Sequence, residues 1–218
     1  MKYFDMILDL FFPPKCPFCS KVLDKAGICP DCEKDLPWIP EESVVREEKN
    51  LRCASPLWYE GKVRDGLLRL KFENAPGAAA PMGALLSQCA AEQFGGCFDL
   101  VTWVPLSRMR LRKRGYDQAR LLAEHACRAW NVKPVALLRK DGNNPPQSGI
   151  HDAAARRANV LGMYHVINPD DVAGKRILLV DDICTTGATL SECVRELRLA
   201  GAESVVCATV ARAERKKK

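Results

Sequence analysis

The chain has 218 residues, 47% of them apolar and 28% charged, with a formal net charge of +6. A chain of this size can bury about 70% of the surface it exposes when unfolded, so one globular domain with a small appendage is expected. Disorder, collagen and coiled coil are excluded. The charge is local: residues 212–218 carry net +4, residues 108–114 carry +5, and the rest of the chain sums to −3. Positive charge therefore marks particular sites and not a uniformly basic surface.

Tyr3 to Phe12 is apolar but holds Asp5 and Asp9 and runs into Pro13-Pro14 with no small-residue cleavage site, so it does not read as a signal peptide. The longest uncharged run, Asn74 to Ala91, is mostly alanine and is broken by Pro76, Gly77, Pro81 and Gly83, which is too weakly apolar for lipid. No membrane insertion and a cytoplasmic location are expected. There the 11 cysteines would be thiols or metal ligands. Cys16-x₂-Cys19 and Cys29-x₂-Cys32 form two knuckles at zinc spacing, each wrapping one side of a tetrahedral ion. Four thiolates close such a site, so the zinc is structural; an iron–sulfur cluster and a redox dithiol are the rival readings. A proline-rich module of about 40 residues cannot bury enough apolar surface alone and needs this staple. Residues 1–45 thus read as a zinc module with its linker, 51–211 as the main domain and 212–218 as a basic tail.

In the main domain Gly61 to Phe72 and Pro76 to Phe94 look helical. Leu100 to Val104 is a short strand, and Arg108 to Arg114 a basic loop with five cations. Asp117 to Trp130 places Ala119, Leu122, Ala123, Ala126, Cys127 and Trp130 on one helical face. Pro134 to Leu138 reads as a strand, Arg139 to Leu161 as a long polar stretch, and Met163 to Ile167 and Arg176 to Val180 as further strands. Leu190, Cys193, Val194 and Leu197 give another helix, ended by Gly201, and Ser204 to Val210 is a last strand. Strands alternating with helices imply an α/β fold with a mostly parallel sheet covered on both faces.

Ile177 to Leu190 carries the densest chemistry. Asp181 and Asp182 sit at the carboxyl end of a buried strand, where open α/β sheets bind ligands. Thr185, Thr186, Gly187 and Thr189 then offer hydroxyls and a flexible backbone at a helix N-terminus, a setting that favours a phosphate dianion. Acids beside an anion cradle suit a ligand with both hydroxyls and phosphate, such as a ribose 5-phosphate, with the acids accepting from hydroxyls or helping to hold Mg²⁺. A lone acid could merely end a strand and a lone Thr cap a helix; this many matched features within ten positions exceed both. A phosphoacceptor receiver domain is excluded because only 36 residues follow Asp182, and no Walker A or dinucleotide fingerprint occurs.

The segment VDDICTTGAT resembles the phosphoribosyl pyrophosphate (PRPP) loop of type I phosphoribosyltransferases. VPLSRMRLRKRGYDQAR, QSGIHDAAARRANVLG and PPKCPFCS resemble motifs of the ComF family of phosphoribosyltransferase-like proteins, so the likeness covers nearly the whole chain. One departure is RGYDQ, with Asp117, where the family usually carries RGFNQ. The resemblance implies a type I phosphoribosyltransferase-like fold with a four-cysteine zinc module. It also implies PRPP held with Mg²⁺: Asp181 and Asp182 on the ribose, and Thr185, Thr186, Gly187, Ala188 and Thr189 on the 5-phosphate. Pro105, Leu106 and Ser107 would face pyrophosphate, with Arg114 nearby, and Arg157 or Arg156 would be the cation of a mobile loop within 139–161. Lys71 would be similarly placed, and Asp181, Asp182, Arg114 and Arg157 would form the catalytic set. The implied reaction displaces pyrophosphate from C1 of the ribose, but no residue stands out as a base for an acceptor. A regulator that senses PRPP stays open beside an active transferase. The family's association with uptake of transforming DNA implies handling of incoming single strands, through the 108–114 loop and the tail, alongside DNA-uptake machinery. Aromatic residues interleaved with those cations are sparse, with Trp103 and Tyr116 only flanking the loop.

Overall fold

A computed structural model describes residues 13–48, 51–142 and 160–214. Helix α1 (Pro30–Asp35) lies in the zinc module. Strands β1 (Val45–Glu48), β2 (Leu51–Ala54) and β3 (Leu57–Trp58) follow, then helices α2 (Gly61–Phe72) and α3 (Ala79–Phe94). Next come β4 (Leu100–Trp103), α4 (Arg108–Arg114), α5 (Gln118–Ala129), β5 (Leu138–Lys140) and β6 (Tyr164–Val166). The chain closes with β7 (Arg176–Cys184), α6 (Ala188–Leu199) and β8 (Ser204–Arg212).

The main sheet runs β1-β2-β8-β7-β4, with β3 also on β8. All its pairings are parallel except β1 with β2. Alternation along β7 sends Ile177 and Leu179 to one face and Leu178 and Val180 to the other. On the first face they meet Leu190, Cys193, Val194 and Leu197 of α6; on the second, Leu122, Ala123, Ala126 and Cys127 of α5 together with α3. Helix α5 therefore covers one face after β4, while α6 covers the opposite face after the adjacent β7. That reversal opens a crevice beyond the carboxyl ends of β4 and β7, the switch point where α/β sheets bind ligands. Gly83 lets α3 and α5 cross closely, since a Cβ there would stand 2.6 Å from the Cβ of His125. His125 is a packing residue at this crossing, and burial lowers its pKa.

Four sequence expectations are corrected. The charged stretch Glu41 to Lys49, read as linker, contributes β1 to the sheet edge. Pro134–Leu138 and Met163–Ile167 add no strands to the main sheet: β5 and β6 pair with each other, antiparallel, as a separate ribbon. Val135 N instead donates to the Val101 carbonyl beside β4, at 2.8 Å. Residues 108–114 form a helix because Ser107 caps it and Arg, Met, Leu and Lys are all strong helix formers. Arg212, counted with the basic tail, is the last residue of β8: it is buried, its guanidinium lies over the Trp58 ring and it donates to the Ser43 carbonyl at 2.6 Å.

The zinc module shares its core with the main domain. Cys16, Phe18, Cys29, Cys32, Leu36 and Ile39 are buried in one cluster with Leu57, Leu67 and Leu70. Gly66 of α2 permits the contact, because a Cβ there would come within 2.5 Å of the Pro17 carbonyl oxygen. Arg69 of the same helix donates to the carbonyls of Pro17 and Phe18, at 3.0 and 2.9 Å.

Candidate functional site

Strand β7 runs on past its pairing with β4 and carries two buried acids into the crevice. Asp181 stands opposite Thr209 of β8, and its Oδ1 accepts from the Asp182 amide at 2.8 Å. Burial, and then the neighbouring Asp182 charge, push the Asp181 carboxyl well above the usual carboxylate range. Asp182 points to the other face, where Lys71 Nζ from the end of α2 lies 2.7 Å from its Oδ2. That oxygen is fully buried and has no aligned hydrogen-bond donor, so the Lys71 contact is an ion pair without hydrogen-bond geometry. The site therefore holds one carboxyl biased toward its protonated form and, beside it, a buried carboxylate oxygen paired with Lys71.

The turn after β7 depends on Gly187. Its φ of 78° is in the left-handed region, and a Cβ would strike Leu51 Cδ2 at 2.7 Å. Gly187 and Ala188 are buried, while Thr185, Thr186 and Thr189 are half-exposed at the start of α6. Thr186 Oγ1 accepts from the Ala188 amide at 3.4 Å. Arg46, on β1, is a residue that sequence reasoning misses: its Nη1 donates to the Thr185 carbonyl at 3.0 Å and its Nη2 pairs with Glu48 at 2.7 Å. Only the presence of an Arg in an otherwise linker-like stretch could have signalled it. Cys184 is not accessible, at 1% exposure. A hydrogen bond with the Cys53 thiol, aided by the Arg46 and Arg212 charges, lowers its pKa against the effect of burial.

Beside this turn lies Pro105–Ser107, at the end of β4. Asp117 pins it: Oδ2 accepts from the Leu106 amide at 2.9 Å, and Oδ1 accepts from the amides of Ala119 and Arg120 at 3.1 and 3.3 Å. Both oxygens act as acceptors, one for the loop and one for the α5 N-terminus. An Asn would retain only one, which gives the departure at this position a structural reason. Burial raises the Asp117 pKa, opposed by these three donors. Arg114 closes α4 against Gly115, donates to Gln118 Oε1 and lies over the Phe72 ring at 5.3 Å. Burial lowers its pKa, while the charges of Asp182, Tyr116 and Asp117 raise it. Tyr116 Oη donates to the Leu70 carbonyl and ties this corner to the helix end that carries Lys71.

Asp181, Asp182, the 185–189 turn, Lys71, Arg114 and Pro105–Ser107 thus lie at or next to the carboxyl ends of β4 and β7. Arg156, Arg157 and His151 lie outside the described residues. On α4, Arg108, Arg112 and Lys113 are exposed. A cavity of about 400 Å³ adjoins Arg108 but not the other two, and is lined by Arg108, Met109, Arg139, Lys140, Asp141 and Gly142. Lys140 Nζ there donates to Tyr164 Oη at 2.9 Å, and burial together with the Arg110 charge brings its pKa down to about 8.

At the other end, the thiols of Cys16, Cys19, Cys29 and Cys32 all lie within 4.8 Å of one another, the Cys19 and Cys29 sulfurs 3.6 Å apart. A tetrahedral zinc with Zn–S of about 2.3 Å requires sulfurs about 3.8 Å apart, so this donor set fits the ion. Among the described residues this is the one such cluster.

Residues 7–62 match the model of the double zinc ribbon domain, and residues 112–218 that of the phosphoribosyl transferase domain. The chain is therefore a zinc-ribbon protein built on a type I phosphoribosyltransferase-like α/β domain. It is 32% identical to competence protein F of Haemophilus influenzae, over 93% of this chain and 99% of that one. It is 30% identical to the DNA utilization protein YhgH of Escherichia coli, over 90% and 96%, and 27% identical to competence protein ComFC of Bacillus subtilis, over 80% and 68%. The chain belongs to the ComF family. A glutamine PRPP amidotransferase from B. subtilis superposes with a TM-score of 0.41 and 24% identity; this chain spans 26% of that enzyme. No helix among the described residues is long and apolar enough to cross a membrane.

Proposed function

We propose that this ComF-family protein binds PRPP with Mg²⁺ in the crevice and supports DNA uptake by handling incoming single-stranded DNA. The observation that carries the reading is the buried Asp181–Asp182 pair beside a hydroxyl-bearing turn, with Lys71 and Arg114 opposite. Hydroxyls of a ribose suit the acids, a 5-phosphate suits the amides and hydroxyls of 185–189, and pyrophosphate suits Lys71, Arg114 and the Pro105–Ser107 turn. Mg²⁺ would come with the pyrophosphate; the Asp182 carboxylate is at hand for it, and Asp181 would join on losing its proton. The names of the relatives, competence and DNA utilization proteins, support the DNA role, as do the exposed cations of α4.

A second reading is transfer of the phosphoribosyl group to an acceptor, with pyrophosphate leaving and the acceptor's proton released. The cavity beside Lys140 favours it, since it offers room for an acceptor and an amine able to exchange protons near neutral pH. The DNA reading is tested by replacing Arg108, Arg112 and Lys113 with Ala. Single-stranded DNA affinity should fall with salt, and the triple variant should flatten the log–log slope by about 2, at about 0.7 per phosphate. Absence of DNA binding at low salt would remove the DNA role and leave the transferase reading.

A further inference from the structure

The acid pair and the turn account for a sugar phosphate, and the exposed cations of α4 for a backbone. Neither accounts for Phe72. It is the last residue of α2, next to the Lys71 that meets Asp182, and it is 70% exposed, the most exposed of the described aromatic residues. Leaving a phenyl ring in water forgoes the free energy that its burial would return. One face of the ring carries the Arg114 guanidinium at 5.3 Å, and that guanidinium is itself fixed by Gln118. A ring backed by a cation, at the end of a helix anchored to the core by Val63, Leu67 and Leu70 and left 70% exposed, is a preformed stacking surface. Its surroundings select the partner. Arg108, Arg112 and Lys113 are exposed on the same seven-residue helix as Arg114, which spans about 10 Å. Met109 and Leu111 are exposed between them, at 57% and 41%.

We infer that Phe72, backed by Arg114, is a stacking platform for a nucleobase of single-stranded DNA whose phosphates lie along α4. The inference rests on the single-strand reading above and deepens it by naming where a base is held. Cations followed by an aromatic platform are the combination with which proteins hold single strands without reading sequence. Sequence alone hides the pairing, because Phe72 and Arg114 are 42 positions apart.

The test uses the full chain and two probes of equal length, an oligothymidylate and the same backbone with abasic sites. Phe72→Ala should weaken the oligothymidylate about 5- to 100-fold, leave the abasic strand within about twofold, and leave the salt slope unchanged. Phe72→Trp should restore affinity, and its fluorescence should be quenched by the oligothymidylate but not by the abasic strand. Thermal unfolding midpoints and far-UV circular dichroism should coincide in all three proteins, which separates a lost platform from a misfolded one. Equal oligothymidylate affinity in Phe72→Ala and wild type, or an equal loss for both probes, overturns the inference alone. A wild-type protein that binds neither strand at low salt overturns the single-strand reading and this inference together.

Discussion

The crevice has two unlike walls. One is acidic and continuous with the sheet: Asp181 and Asp182 are residues of β7 itself, buried and held by the ladder to β8. The other is cationic and assembled from helix ends, with Lys71 in the last turn of α2 and Arg114 closing α4, both half-buried. The acidic wall is costly, since it places two carboxyls where water is scarce, whereas the cationic wall is positioned only by side contacts such as those of Tyr116 and Asp117. The acids are thus built into a strand paired on both sides, and their counter-charges depend on how well two helices stay in place.

That dependence is broken most severely at the zinc module. One zinc per chain is expected, and stripping it, or replacing Cys29 by Ser, should cost several kcal/mol. Because Phe18 and the cysteines share a core with Leu67 and Leu70, the loss should reach α2 and therefore Lys71. Hydrogen exchange should accelerate both in residues 13–40 and in α2, with PRPP affinity falling in parallel. Faster exchange confined to the module would show that the helix stands without it.

A narrower cut is Asp117→Ala, which leaves the Leu106 amide and the α5 N-terminus without their shared acceptor. A loss of about 2 kcal/mol in a denaturant titration is expected, with PRPP weakened because the Pro105–Ser107 turn is released. Asp117→Asn should lose less than half of that. No loss from Asp117→Asn would mean that the second acceptor oxygen contributes nothing.

The acidic wall should respond in the opposite direction. Asp181 keeps its proton to higher pH in the folded chain than in the unfolded one, so between the two pKa values the folded state binds more protons and stability falls as pH rises. Asp181→Asn should therefore stabilise the protein at pH 7 by about 1 kcal/mol, raising Tm by about 2–4 °C, and should flatten that pH dependence. A variant less stable than wild type at pH 7 would show that Lys71 and the Asp182 amide already compensate the charge.

The two walls also differ in how far they can be read from the sequence. Residues 177–190 are contiguous, so the apolar strand, the acids and the hydroxyl-bearing turn are legible together, as are the four cysteines and the buried face of α5. The cationic wall joins segments more than 40 positions apart, and nothing in LRLKFENA reveals that Lys71 meets Asp182 or that Phe72 meets Arg114. Strand β1, Val-Arg-Glu-Glu, escapes notice because an edge strand with charged side chains has the composition of a linker. The run of cations at 108–114 suggests a loop, although capping by Ser107 and good helix formers decide its conformation. The β5–β6 ribbon cannot be told from strands of the main sheet because short apolar runs reveal a strand but not its partner.

Calorimetric titration of PRPP with Mg²⁺ into the wild type and an Asp181→Asn, Asp182→Asn double variant tests the central claim most directly. Saturable binding to one site in the wild type, reduced at least about 100-fold in the folded double variant, is the expected result. Binding of equal strength in both proteins, or no heat in a correctly folded wild type, would contradict the assignment of this crevice to PRPP.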